Sequence, residues 1–165
     1  MFAHIHENET QDFKRIGAKF TSQIGGNNMS HIKKVILVED NPADIELTKL
    51  AFKNQTIPSE VVPCSDGNAL IHLLHHVKLT DVGYILLDLN LPKLSGIEIL
   101  NIIAKDPEWH KLPVIVFTSS TDAREVSACY EAGANAYVLK PLDFNDYNNT
   151  IRAIHEFWCG VNLIP

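Results

Sequence analysis

From residue 32 onward the chain alternates short, wholly apolar runs with longer stretches in which apolar residues recur at helical spacing. Lys34 to Val38 (KVILV) reads as a buried strand, because it is β-branched and lacks in-out alternation. Asn41, Pro42 and Asp44 follow as a helix cap, a proline at the first helical position and an acid in the first turn. Ile45, Leu47, Leu50, Ala51 and Phe52 continue that helix until Pro58 stops it. The same logic predicts strands at Glu60 to Val62, Tyr84 to Leu87, Pro113 to Phe117 and Ala136 to Leu139. It predicts helices over Asn68 to His76, Ile97 to Ala104, Asp122 to Glu131 and Asp143 to Trp158. The last has apolar residues at 144, 147, 151, 154 and 158.

Five strands alternating with five helices predict an α/β fold: one five-stranded parallel sheet, doubly wound, flavodoxin-like in its βα repeat. Its domain is expected over 31–159. Residues 160–165 then form an apolar C-terminal tail. Before the domain, Met1 to Ser30 has scattered apolar residues and the breaker cluster Gly25, Gly26, Asn27, Asn28. It reads as a flexible tail, or as a segment preceding a start at Met29.

Composition narrows the function classes. The 165 residues are 45% apolar and 21% charged, which suits one soluble globular domain. Fourteen basic against twenty acidic residues give a net charge of −6, which argues against a nucleic acid partner. No apolar run approaches a membrane span. Cys64, Cys129 and Cys159 are widely spaced and odd in number, so neither a disulfide framework nor a multi-cysteine zinc site is expected. A cytoplasmic location follows as the expectation.

Sheets of this kind carry their chemistry at the carboxyl ends of the strands. The first predicted strand ends in Glu39-Asp40, the third in Asp88, the fourth in Thr118 and the fifth in Lys140-Pro141. Three carboxylates in one pocket repel unless a cation sits among them. Oxygen donors of this sort suit Mg2+. An aspartate so placed is also a nucleophile able to accept a phosphoryl group while a metal and a lysine neutralise the developing charge.

The stretches VILVEDNPAD, ILLDLNLPKLSG, VIVFTSS and AYVLKP occur in order, each closing a predicted strand. On them the chain resembles the receiver domain of bacterial response regulators, from about His31 to Trp158. The resemblance implies that Asp88 is the phosphoacceptor, that Asp40 binds Mg2+ directly and Glu39 through water, and that Asn90 lends its backbone carbonyl to the metal. It further implies that Thr118 hydrogen-bonds the phosphoryl oxygen, that Lys140 ion-pairs with it, and that Tyr137 is the aromatic rotamer switch coupled to Thr118. Pro141 would follow a cis peptide bond, and Gly96 would close the loop after the phosphoacceptor. Asn90 and Ser120 occupy positions that tune phosphate lifetime in the family.

Function follows from the same resemblance. It implies a stand-alone regulator phosphorylated by a sensor histidine kinase, or a phosphorelay intermediate. In either case the chain is a phosphoacceptor and not an enzyme, with at most hydrolysis of its own aspartyl phosphate. FWCGVNLIP at the end also resembles the small regulators partnered with bacterial phytochromes, which implies a phytochrome-type kinase. No room is expected for a DNA-binding output domain, so protein binding is the expected output.

Two rivals were weighed. A Mg2+-dependent phosphatase of the haloacid-dehalogenase type needs a second acid two residues after its nucleophile, where this chain has Asn90. An FMN module needs a hydroxyl- and glycine-rich first loop, where VEDNPAD would repel phosphate.

Some features have plainer readings. His72 and His76, four apart with His75 beside them, read as a solvated or interfacial helix face ahead of a metal pair. Trp109 reads as a loop anchor, and Cys129 and Cys159 as ordinary packed or part-exposed thiols. The apolar tail has two readings: it folds back on its own domain, or it joins a homodimer formed by the fourth helix, fifth strand and fifth helix.

Overall fold

Each strand leads through a loop to a polar helix cap, and this sets the architecture of residues 32–162, the part that this computed structural model describes. Strands β1 (Lys33–Val38), β2 (Ser59–Cys64), β3 (Val82–Leu87), β4 (Val114–Thr118) and β5 (Ala136–Leu139) alternate with helices α1 (Pro42–Lys53), α2 (Gly67–Leu74), α3 (Gly96–Lys105), α4 (Ala123–Glu131) and α5 (Phe144–His155). Expectations placed on Met1 to Ser30 and on Leu163 and Ile164 lie outside the described residues. No helix among the described residues is long and apolar enough to cross a membrane.

The strands form one parallel sheet in the order β2-β1-β3-β4-β5. The chain winds outward in both directions from the β1/β3 pair, so a crevice opens beyond the ends of those two strands. The side chains of Asn41, Asp66, Ser95, Asp122 and Asp143 each accept a backbone N–H at the start of the following helix. These caps satisfy donors that the first helical turn leaves free. Since every helix follows a strand, all five helix starts gather at the carboxyl edge of the sheet.

Side chains alternate between two cores. Ile36, Val38, Ile85, Leu87 and Val116 pack with Leu70, Leu74, Ile99, Leu100 and Cys129. Val35, Leu37, Tyr84, Leu86 and Phe117 pack with Ala51, Tyr147, Ile151 and Ile154. Every residue of β3 is buried, as its apolar run implies. Each fully buried Leu or Ile in these layers contributes about 1.5–3 kcal/mol.

Two details depart from the sequence reading. Phe144 opens the predicted apolar stripe of the last helix but is 49% exposed, because it occupies the first turn, at the rim of the sheet. That helix also ends at His155 instead of Trp158. The chain continues as a wider π-type turn over Glu156–Val161, closed by the Asn162 N–H donating to the Phe157 carbonyl at 2.7 Å. The turn lays Trp158 and Cys159 on the second core, with Cys159 Sγ 3.0 Å from where a Cβ on Gly83 would stand. Trp158 and Cys159 thus pack on the domain, while Phe157 and Val161 stay exposed.

The π-type turn buries His155 completely. Its Nε2–H donates to the Ile57 carbonyl at 3.0 Å, its Nδ1 accepts from the Tyr84 hydroxyl at 3.3 Å, and Phe52 packs edge-on at 5.0 Å. Burial holds the imidazole below its ordinary value, against the opposing pull of the Ile57 hydrogen bond. The unfolded chain therefore takes up a proton, as pH falls through about 6.5, that the folded chain refuses. The stability carried by neutral His155 is full above that value and is lost as pH falls through its lower folded value. Urea denaturation at several pH values from about 7.5 to 5 is expected to show this loss. His155→Phe is expected to flatten the slope while costing about 1–3 kcal/mol for the unpaired Tyr84 and Ile57 groups.

Candidate functional site

The sheet ladder runs one residue past the strands, and this places the candidate site groups. The Glu39 N–H donates to the Cys64 carbonyl and the Asp88 N–H to the Val38 carbonyl, both at 3.0 Å. The Lys140 N–H donates to the Thr118 carbonyl at 2.8 Å, continuing the pairing of Thr118 with Leu139. Glu39, Asp88, Thr118 and Lys140 are thereby fixed side by side at the carboxyl edge.

Carboxylate oxygens of Glu39, Asp40 and Asp88 lie within 4.8 Å of one another. Lys140 Nζ stands among the acids, 2.5 Å from Glu39 Oε2, 2.9 Å from Asp44 Oδ2 and 3.2 Å from Asp88 Oδ2. The second oxygens of Glu39 and Asp88 are also engaged. Glu39 Oε1 accepts from the Asn41 N–H at 2.9 Å, and Asp88 Oδ1 from the Leu89 N–H at 2.7 Å. Glu39 is only 2% exposed, whereas Asp40 lies open at the rim.

Burial pushes the Glu39 carboxyl above its ordinary value, and the nearby Asp88 charge adds to this; bonds from Lys140 and Asn41 offset only part. Burial also opposes the Lys140 charge, but the bonds to Asp44 and Glu39 and the field of Asp88 outweigh it and hold the ammonium above its usual range. The cluster offers only hard oxygen donors, one of them open to solvent, which fits Mg2+ or Mn2+.

Thr118 is fully buried, and its Oγ1 accepts from the Ser120 N–H at 3.4 Å. The Tyr137 hydroxyl donates to the Ser120 carbonyl at 3.0 Å, so the expected switch residue is tied to the loop that leaves Thr118. Ser120 Oγ in turn donates to Glu125 on α4. Asn90 lies exposed in the loop two residues beyond Asp88. Gly96 closes that loop: its N–H donates to the Leu89 carbonyl at 3.1 Å, and a Cβ would stand 2.8 Å from the Asp88 carbonyl oxygen.

One expectation at the site is corrected. No peptide bond among the described residues is cis, so Lys140–Pro141 is trans. Trans is the isomer that X–Pro bonds favour by about 0.5–1 kcal/mol, and Lys140 reaches the acids from it. Asp44, by sequence a helix-start acid, also holds Lys140. The signal was its place in the first turn of a helix that starts beside the strand end. The histidines stay apart from this centre: the His72 and His76 rings stack 4.5 Å apart, and His76 Nδ1–H donates to the His72 carbonyl at 2.7 Å. Trp109 is buried against His75, as a loop anchor should be.

Residues 35–152 match the response regulator receiver domain family. The chain belongs to that family. Response regulator Rcp1 of Synechocystis sp. is 34% identical to this receiver over 137 residues, spanning 81% of this chain and 93% of its own. The crystal structure of the phosphorylated cyanobacterial phytochrome response regulator RcpA superposes with a TM-score of 0.74 at 36% identity, covering 81% of this receiver and 99% of that chain. The Mn2+-bound form of Rcp1 superposes with a TM-score of 0.73 at 34% identity, with the same coverage. The doubly wound parallel fold is thus that of known receivers, and the chain is a signalling domain of two-component type.

Replacing Lys140 by Met strands Glu39 among like charges. In EDTA at neutral pH, stability is expected to fall by about 3–5 kcal/mol. A buried acid whose folded value is raised stabilises fully only below its unfolded value near 4.3 and loses that contribution as pH rises. The deficit should therefore be greatest at neutral pH and close as pH falls toward about 4. Urea midpoints for both proteins across that range check this, and a deficit independent of pH would contradict it.

Proposed function

We propose that this receiver takes one phosphoryl group onto Asp88 from the phosphohistidine of a sensor histidine kinase and signals by a changed protein-binding surface. The observation that carries this reading is the convergence of Glu39, Asp40 and Asp88 at one strand-end crevice, with Lys140 paired to Glu39 and Asp88. Glu39, Asp40, Asp88 and the Asn90 carbonyl would hold Mg2+, which when bound supplies positive charge for the phosphoryl oxygens.

In the transfer, an Asp88 carboxylate oxygen forms the new bond to phosphorus as the phosphorus–nitrogen bond of the donor breaks, and the imidazole leaves with the electron pair. Lys140, already 3.2 Å from Asp88, pairs with the charge that arrives. The Thr118 hydroxyl donates to a phosphoryl oxygen. Movement of Thr118 carries Ser120 with it, and Ser120 holds the Tyr137 hydroxyl. The change then reaches the face bearing exposed Tyr130, Leu139, Leu142 and Phe144, which is suited to a partner or to a homodimer through α4, β5 and α5. Likeness to RcpA supports a phytochrome-type kinase as donor.

Intact mass after incubation with acetyl phosphate and Mg2+ tests this reading. One phosphoryl group is expected on the wild-type chain, none in EDTA and none on Asp88→Asn. A labelled Asp88→Asn would move the acceptor elsewhere. Steady turnover of small phosphoesters would favour the phosphatase reading instead. Passage of the label to a histidine phosphotransfer protein would identify a phosphorelay intermediate.

A further inference from the structure

Lys93, in the loop between Asp88 and α3, has φ +70, the one non-glycine positive φ among the described residues. Glycine adopts this conformation freely, whereas a lysine is strained in it. The side chain therefore does something that glycine would not. Lys93 Nζ lies 2.6 Å from Asp66 Oδ2. Asp66 is the N-cap of α2, and its other oxygen accepts from the Ala69 N–H at 2.9 Å. One largely buried carboxylate thus caps a helix and grips a loop at the same time. Next to Lys93, Leu94 Cδ1 stands 3.1 Å from where a Cβ on Gly67 would be, so the loop also packs on the first turn of α2.

Between Asp88 and this anchor, Leu89 is buried in the first core and Leu91 packs against it, while the polar bonds stay within the loop. The Leu91 N–H donates to the Leu89 carbonyl and the Leu94 N–H to the Pro92 carbonyl, both bonds internal to the loop. Asn90 is exposed. At its far end, Gly96 pins the loop back to Leu89. The segment carrying Asn90 is therefore set by Leu89 and Leu91 on the core and, beyond Pro92, by the Lys93–Asp66 pair.

We propose that the Lys93–Asp66 ion pair is a latch that positions the Asn90 backbone carbonyl for the divalent cation, making Lys93 a positioning residue for cation affinity and phosphoryl acceptance. The inference rests on the proposed role of Asn90 at the phosphoacceptor site. Neither latch residue touches the cation or the phosphoryl group; they act through the loop.

The test is Mn2+ binding to the full chain, followed by electron paramagnetic resonance, alongside the rate of phosphorylation by acetyl phosphate. Lys93→Met keeps the strained backbone and loses the pair. Asp66→Asn keeps a capping oxygen and loses the charge. Each is expected to weaken Mn2+ binding by about tenfold, in the manner of a removed outer-shell contact, and to slow phosphorylation in proportion. The double variant is expected to be no weaker than either single one, since both changes break one interaction. Lys93→Arg should retain near-wild-type affinity.

Lys93→Gly separates strain from latch. It relieves the backbone, yet is expected to bind Mn2+ as weakly as Lys93→Met. If the single variants lose thermal stability but bind Mn2+ like the wild type, the pair is only structural and the latch is overturned. Additive losses in the double variant would overturn it as well. Failure of the wild-type chain to bind Mn2+ or accept phosphate would instead overturn the reading of the site itself.

Discussion

Three carboxylates, those of Glu39, Asp44 and Asp88, surround the Lys140 ammonium at one sheet edge, with Asp40 open at the rim beside them. Glu39 and Asp88 are held by ladder bonds to Cys64 and Val38, and Asp44 rides on a helix that starts at the strand end. Crowding like charges in a largely buried setting costs free energy that only cations recover. Lys140 recovers part of it by bonding three of the four acids. A divalent cation or a phosphoryl group placed at this edge would change the same charge balance.

That crowding is tolerable because the sheet beneath it is stiff. β3 is buried along its whole length, and the flanking layers of Ile36, Ile85, Leu100 and Ile115 leave little slack. The candidate site residues Glu39, Asp88 and Lys140 sit one position beyond this apolar scaffold, where a side chain can change without disturbing the core. The helix caps gathered on the same edge add oriented backbone donors and short polar loops. The edge is thus polar and adaptable while the interior is apolar and fixed.

Much of this was legible in the sequence. KVILV, YILL, PVIVF and AYVL are short and apolar, so their ends could be read to within a residue or two, and those ends are the site. Asp44, by contrast, is locally a normal first-turn acid; only the tertiary placement of Lys140 gives it a second duty. Lys93 shows no signal at all, since a positive φ at a lysine is a property of the folded loop. The trans bond before Pro141 contradicts a family expectation that no local residue dictates. The turn over Glu156–Val161 escaped notice because a π-type turn has nearly the same apolar spacing as the end of an α-helix. Phe144 fits the helical stripe by spacing, but a first-turn position at the rim leaves it in solvent.

The bond from the Lys140 N–H to the Thr118 carbonyl makes β5 act like a reading frame. Side chains on a strand alternate between faces, so moving the pairing by a single residue would bring Leu139 or Pro141 to the place of the lysine and turn Tyr137 away from its carbonyl. Length changes in the four-residue β5 are therefore far more damaging to the chemistry than most substitutions there. Register at the carboxyl end of the sheet is thus bound to a fixed residue count.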